Sequence, residues 1–371
     1  MEKRIAALLD HLAEAAPLSR PDAPKRTFVH VFYGGVYLFR RETLDKLARI
    51  ARTSFEQHSA GCELFADAKV RARVKKKLEG PTAIEAMCID FEDGYGERSD
   101  AEEDADAVRT ANELAALPEG GPVVGIRIKS LAPATAKRAV RTLESFVGAA
   151  KPRAGFSVTL PKVARAAEVR ALTEILAILE ETNGIPQGRI RVELMIETPR
   201  ALFHERELVD AAGGRCIAVH LGAYDLSSSL DINATEQRLD HPLCDLARLE
   251  GRVALADLDV LFYDGATTVL PIGESDAVHR AWTLHAGNVR RAIDFGIFQG
   301  WDLHPAQLPA RYAALYGYFL PRHDEMKARL DAFRERQERA TRNGQVFDDA
   351  ATARGLENFF RRGTACGAFD T

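Results

Sequence analysis

Five ionisable side chains fall at the ends of apolar runs in this sequence: Asp90 and Glu92 in CIDFEDGYG, Arg127 in GIRIKS, Glu197 in LMIETPRAL and Asp225 in HLGAYDLSSSLD. Glu197 and Asp225 are hard oxygen donors on consecutive segments, with no Cys–His ligand set beside them. That chemistry suits Mg²⁺, or another hard divalent ion such as Mn²⁺, which takes one or two carboxylates and keeps positions for water and substrate oxygens. Each carboxylate also has a plainer reading as a helix cap, since Asp225 precedes LSSSL and Glu197 precedes PRALF. Arg127 offers the planar fork that holds a carboxylate through two hydrogen bonds. An ion pair with Asp90 or Glu92 would use the same fork, and both roles can hold together.

Other candidates weigh less. Lys162, in TLPK, is the residue type a Schiff-base aldolase requires. Alternation with Phe156, Val158 and Leu160 instead puts it on an aliphatic face, as an outward ion-pairing lysine. His220 falls two residues before Gly222 on an inward face and reads as a satisfied core histidine. His30, in FVHVFYGG, has no partner legible from spacing. Ser227, Ser228 and Ser229 lack the G-x-S-x-G turn of a nucleophile elbow and read as a helix start. Gly34-Gly35 would let a ligand approach the backbone after the first strand.

The elements that must position these groups alternate between β-rich runs and amphipathic stretches. The runs are Phe28–Phe39, Ala86–Phe91, Val123–Ile128, Phe156–Leu160, Ile190–Ile196, Cys216–Leu221, Thr267–Pro271 and Ile297–Leu303. Helical periodicity appears in TLDKLARIARTSF, and again in EVRALTEILAILEETNG, which stops at Asn183-Gly184. In four runs, aliphatic residues alternate with polar ones: Met87, Ile89 and Phe91 against Asp90 and Glu92; Val124, Ile126 and Ile128 against Arg127; Val192, Leu194 and Ile196 against Glu193 and Glu197; Ile217, Val219 and Leu221 against His220. In a chain of strand–helix units the aliphatic faces pack on helices, so the polar faces converge on a barrel axis. The polar residues gather at the C-terminal ends of their strands, where barrels carry their sites. The fold expected is therefore an α/β, TIM-like (β/α)₈ barrel with a C-terminal helical extension. An open doubly wound sheet is the rival, and it lacks the G-x-G-x-x-G turn of its dinucleotide-binding form.

Residues 1–320 are expected to form the barrel domain, with a helical lead-in over 1–25. Residues 321–371, charge-dense in DEMKARLDAFRERQERATRN, would form a C-terminal arm or a lid over the mouth. The chain has 371 residues, 50 Lys and Arg against 54 Asp and Glu, and a formal charge of −4. Bulk charge therefore speaks against a nucleic-acid binder. No apolar run of about 18 residues is present, so no membrane partner is expected. Five widely spaced cysteines, without a CxxC pair, read as reduced structural thiols and suggest a cytoplasmic location.

Taken in register, CIDFEDGYG, GIRIKS, TLPKV, LMIETPRAL, HLGAYDLSSSLD and GWDLHPAQ resemble the citrate lyase β-subunit/HpcH–HpaI aldolase superfamily of phosphoenolpyruvate/pyruvate-type barrels, over residues 85–310. The IDFED stretch also resembles malate synthase. Met195 stands where HpaI-type aldolases carry a Gln. The resemblance implies Mg²⁺ on Glu197 and Asp225, Arg127 gripping an α-keto-acid carboxylate, Gly222 and Ala223 against the substrate, and Asp90 and Glu92 as catalytic groups near the metal. The activity implied is a Mg²⁺-dependent carbon–carbon lyase of aldolase or citrate lyase type. Its substrate would be a 2-keto- or 3-hydroxy-acid such as pyruvate or oxaloacetate, free or as a CoA thioester, handled through a metal-stabilised enolate. The alternatives are a malate synthase-like or malyl-CoA thioesterase-like acyl-CoA enzyme, and a non-catalytic keto-acid-binding barrel. Family members commonly assemble as homo-trimers or hexamers, which is the assembly implied here.

Overall fold

In the computed structural model, which describes residues 28–118, 120–150, 152, 154–335, 341–343, 346–348 and 350–370, eight parallel strands pair in sequence order and β8 closes on β1. They are β1 (His30–Gly35), β2 (Ala86–Asp90), β3 (Val123–Arg127), β4 (Ser157–Leu160), β5 (Arg191–Ile196), β6 (Cys216–Leu221), β7 (Leu261–Asp264) and β8 (Gln299–Asp302). Around them run α1 (Thr43–His58), α2 (Ala68–Glu79), α3 (Asp100–Ala115), α4 (Ala136–Ala150), α5 (Ala166–Thr182), α6 (Pro199–Leu202) and α7 (Glu205–Ala211). The circuit is completed by α8 (Ala223–Ser228), α9 (Pro242–Ala254), α10 (Ser275–Asp294) and α11 (Leu308–Phe319). This is the (β/α)₈ barrel the alternation predicts. The lead-in expected over 1–25 lies outside the described residues. Among the described residues, no helix is long and apolar enough to cross a membrane.

Local sequence explains the boundaries. At the start of α3, the Ser99 hydroxyl accepts from the Glu102 N–H while the Glu102 carboxylate accepts from the Ser99 N–H at 3.0 Å, a reciprocal cap. The stripe Leu44, Leu47, Ala51 and Phe55 buries one face of α1 against the barrel. The last turn of α5 ends at Asn183, and Gly184 takes the positive φ of +65° that a helix terminus of this kind requires.

The strand alternation divides the apolar side chains into two cores. Met87, Ile89, Phe91, Val124, Ile126, Val192, Leu194, Ile196, Val219 and Leu221 join the layer between strands and helices. Tyr33, Cys88, Met195, Ala218, Tyr263 and Trp301 fill the barrel interior. Ile217 departs from the rule. The β5–β6 register shifts at Val192/Glu193, so β6 carries one extra residue and Ile217 leans on the inner core. Two histidines serve this packing. The His220 ring stacks on Tyr263 at 4.8 Å and pairs with Glu193 at 2.6 Å. Glu193 also accepts from the Ser157 hydroxyl at 2.7 Å; burial opposes its charge, but the His220 contact holds its pKa below the ordinary value. His30 accepts from the Glu85 N–H at 3.1 Å, and burial pushes its pKa down to about 4, so it is a neutral core group.

One expected strand is corrected. Thr267–Pro271 is the loop leaving β7, not the strand. The Thr267 hydroxyl is held by His285 at 2.9 Å and Asn288 at 3.0 Å, and its carbonyl accepts from Gln307 at 2.7 Å, so its polar groups serve helices rather than a ladder. After α11, the chain forms α12 (His323–Glu335), a two-stranded antiparallel pair β9 (Thr341–Asn343) and β10 (Val346–Asp348), then α13 (Ala350–Ala365). Phe359 of α13 packs on Phe319 at 5.2 Å, and the Arg362 guanidinium lies over the Phe298 ring at 5.7 Å. Phe298 immediately precedes β8, so this contact lies at the barrel end away from the mouth. Arg73 adds a 2.6 Å hydrogen bond to the Gly367 carbonyl and a 2.7 Å ion pair with Asp370. α13 and the residues after it thus pack against that end of the barrel.

Glu205, the first residue of α7, is 2% exposed, and neither carboxylate oxygen meets a hydrogen-bond partner among the described residues. Burial, reinforced by Glu250, pushes its pKa up to about 8. The native state thus holds this proton more tightly than the unfolded chain, whose carboxyl titrates near 4.3. Stability from this group is complete below about pH 4 and is lost as pH rises through about 8. Glu205→Gln keeps the shape and removes the titration. In urea unfolding from pH 5 to 9 the variant should overtake the wild type with rising pH, by ~1–3 kcal/mol at the alkaline end. Parallel pH profiles for the two proteins would refute this assignment.

Candidate active site

The C-terminal ends of the strands open onto a cavity of about 310 Å³ bordered by Asp90, Asp93, Arg127, Glu197, Gly222 and Asp225. Arg127 closes β3 and is buried beside Asp90, the last residue of β2; the two are register partners in the sheet. Its Nε donates to Asp90 Oδ1 at 2.7 Å and its Nη2 to Oδ2 at 2.5 Å. Asp90 also accepts the Glu92 N–H at 2.9 Å and the Gly94 N–H at 2.7 Å. A side chain at Gly94 would place its Cβ 2.6 Å from Asp90 Oδ2, so only glycine lets the turn close over the carboxylate. The fork of Arg127 is therefore spent on Asp90, as the ion-pair reading holds. What it offers the cavity is Nη1, which lies 3.3 Å from Glu92, 3.5 Å from Asp93 and 3.4 Å from the Met195 sulfur.

Lys162 is a correction. β4 ends at Leu160, and Lys162 takes a left-handed backbone with φ +51°, so strand alternation does not extend to it. Instead of facing the helices, its ammonium swings over the mouth to Glu92, and to Asp93 at 2.9 Å. The ion-pairing role stands; the location differs. Partial burial opposes its charge, but Glu92 and Asp93 outweigh this and hold its pKa above the ordinary lysine value. A lysine kept protonated is a poor Schiff-base nucleophile. Burial raises the Glu92 carboxyl, whereas Asp93 stays below the usual range because Glu92 and Lys162 hydrogen-bond to it despite its own burial.

Glu197, one residue beyond β5, is 2% exposed. Burial, with neighbouring Asp225 adding to it, pushes its pKa up to about 8. Its Oε1 accepts the Lys162 backbone N–H. Asp225 lies in the first turn of α8, half-buried, and its carboxylate has no hydrogen bond or ion pair among the described residues. Among those residues no group of three or more His, Cys, Asp or Glu is gathered as a metal site. Two hard, like-charged oxygen donors facing an open cavity nevertheless fit one divalent cation that fills its other positions with water or substrate. Gly222 makes that arrangement possible: an added Cβ would lie 2.5 Å from Glu197 Cβ and 2.7 Å from Oε2. Its own N–H is committed to the Ile196 carbonyl at 2.9 Å, so it contributes space rather than a donor. Ala223 is buried behind the wall, next to Gly265, and does not border the cavity. Glu92, held by Arg127 Nη1 and Lys162, likewise does not border it, whereas Asp93, Tyr33, Tyr224, Trp301 and Leu303 do. Sequence reasoning passed over those five. For Tyr33 and Trp301 the signal was present, since each is on the inward face of its strand.

The barrel and its polar mouth define a TIM-like (β/α)₈ protein whose candidate site occupies the end where such barrels carry theirs. Residues 12–371 match the family described as domain of unknown function DUF6986, and the chain belongs to that family. No curated protein matches it. Similar solved structures include a citrate lyase from Burkholderia xenovorans LB400, with 24% identity, 93% of this chain and 94% of that chain covered, and a TM-score of 0.68. CitE of Mycobacterium tuberculosis, in complex with magnesium, acetoacetate and coenzyme A, has 19% identity over 93% of this chain and 100% of that chain, with a TM-score of 0.57. Haloferax volcanii malate synthase, in a pyruvate/acetyl-CoA ternary complex, has 15% identity over 92% and 93%, with a TM-score of 0.55. At these identities the likeness establishes a shared fold.

Gly222→Ala tests the cation cradle. The added methyl forces Glu197 aside at a cost of ~1–3 kcal/mol. Calorimetry should show Mg²⁺ binding weakened at least about tenfold, ~1.4 kcal/mol, in a variant whose circular dichroism is native. Unchanged Mg²⁺ affinity would remove Gly222 from the account.

Proposed function

We propose that this protein is a Mg²⁺-dependent carbon–carbon lyase of the aldolase type, acting on a 2-keto- or 3-hydroxy-acid, free or as a CoA thioester. The observation that carries the reading is the pair Glu197 and Asp225, short of compensating charge, across one cavity from Arg127. A divalent cation bound by that pair supplies Lewis-acid stabilisation of the negative charge that develops when a carbon–carbon bond next to a carbonyl breaks. The rest falls to the chain itself. Arg127, locked by Asp90, presents a fixed positive edge through Nη1, which needs no reorganisation as charge develops. The Lys162 N–H fixes the orientation of the Glu197 carboxylate. Asp93, kept ionised by its Lys162 contact, borders the cavity and is the carboxylate placed to exchange a proton with a substrate. Met195, Tyr33 and Trp301 close the floor against bulk water. The magnesium, acetoacetate and coenzyme A of the Mycobacterium CitE complex are ligands of the class proposed, and they support the reading by analogy of fold.

Titration of pyruvate in the presence of Mg²⁺, and again with EDTA, tests this directly. Binding should require the metal and weaken at least about tenfold, ~1.4 kcal/mol, in Glu197→Gln and in Asp225→Asn. Keto-acid binding that ignores EDTA and both substitutions would overturn the proposal.

A further inference from the structure

We infer that the cavity selects a keto acid whose far end is apolar, a branched aliphatic or aryl group, over one carrying a second carboxylate. The inference rests on the lyase reading above and specifies its substrate class.

A dicarboxylate needs a second positive or donor-rich place, because an unpaired charge taken from water into a cleft is strongly penalised. The cavity wall supplies none. Arg127 is the one cationic residue bordering it among the described residues, and its bidentate face is committed to Asp90. Lys162, the other cation at the mouth, is paired with Glu92 and Asp93. Meanwhile Asp90, Asp93, Glu197 and Asp225 all border the space. One divalent cation on Glu197 and Asp225 would attract the carboxylate and carbonyl at the reacting end. A second carboxylate would then meet either Asp93 or an aromatic wall.

That wall is largely apolar because the polar tips of Tyr224 and Trp301 are committed elsewhere. The Tyr224 hydroxyl donates to the Ala266 carbonyl at 2.9 Å. The Trp301 indole N–H donates to the Leu221 carbonyl at 3.2 Å. The Tyr33 hydroxyl is buried with no hydrogen-bond partner among the described residues, and its ring packs on Trp301 at 4.8 Å. Leu303, beyond the end of β8, adds an aliphatic edge. Rings and a leucine thus border a cavity of about 310 Å³, well beyond what a three-carbon acid fills. Apart from the single Tyr33 hydroxyl, the wall desolvates an apolar substituent and offers no group that would neutralise a second carboxylate.

The test is calorimetric competition in the Mg²⁺-loaded protein, using pyruvate, 4-methyl-2-oxopentanoate, phenylpyruvate and 2-oxoglutarate as probes. The two apolar acids should bind at least about tenfold more tightly than 2-oxoglutarate, the scale on which apolar pockets discriminate. Leu303→Arg puts a cation on the wall and should shift the 2-oxoglutarate-to-phenylpyruvate affinity ratio at least about tenfold toward the dicarboxylate; because the ratio is taken within one variant, partial misfolding does not imitate it. Mg²⁺-dependent binding in which 2-oxoglutarate equals or exceeds phenylpyruvate would overturn this inference and leave the lyase reading intact. Absence of Mg²⁺-dependent binding for every acid, pyruvate included, would overturn both.

Discussion

Asp90, Glu92, Asp93, Glu197 and Asp225 crowd the open end of this barrel around two cations, Arg127 and Lys162, and that imbalance governs the design of the site. Buried like charges repel unless something positive lies between them. Three of the five carboxylates find it: Asp90 takes the fork of Arg127, and Glu92 and Asp93 share Lys162. Glu197 and Asp225 do not. Burial, with Asp225 adding to it, pushes the Glu197 pKa up to about 8 in a protein with ample surface on which to place acids. Such a pair is destabilising in isolation, and a divalent cation, the partner proposed above, would reverse the sign.

The remaining architecture keeps this arrangement from relaxing. Gly94 and Gly222 leave room for carboxylates where any side chain would collide with them. Behind β8, Asp302 takes the guanidinium of Arg311 in two bonds of 2.7 and 2.9 Å and lies 3.2 Å from His285. His285 in turn holds Thr267, and Gln307 accepts from the Leu303 and His304 N–H groups while donating to the Thr267 carbonyl. Behind β7, Arg248 grips Asp264 at 2.9 and 3.0 Å. These buried pairs contribute little net stability, since desolvation offsets most of their attraction. They fix the loops leaving β7 and β8, and with them Trp301, Leu303 and the wall that faces the charged side.

Much of this was legible in the sequence, for a definite reason. A parallel barrel with helices outside forces a period of two on its strands, and Met87/Ile89/Phe91 against Asp90, or Val192/Leu194/Ile196 against Glu193, show it plainly. Asp90, Arg127, Glu197 and Asp225 were found because they break an otherwise apolar pattern at the strand ends, and the structure gathers them at one cavity. What escaped was whatever alternation does not govern. β7, Leu261–Asp264, puts an aromatic residue on each face, Phe262 outward and Tyr263 inward, so it shows no apolar–polar alternation, while Thr267–Pro271 has β-forming residues and the polar groups of Thr267 are claimed by helices. Lys162 follows the end of β4 on a left-handed backbone, so counting by twos sent it to the wrong face. Asp93 looks like any turn acid, and the spending of Arg127 on Asp90 is a matter of distance that no spacing encodes. The strands β9 and β10 are three residues each, below the length at which a pattern exists.

Anomalous diffraction at the manganese edge, from crystals grown with Mn²⁺, tests most directly whether Glu197 and Asp225 form a cation site. A single strong peak is expected at the barrel mouth, bonded to one oxygen of Glu197 and one of Asp225. A peak elsewhere with these carboxylates unliganded, or no peak at the mouth at saturating Mn²⁺, would contradict that assignment.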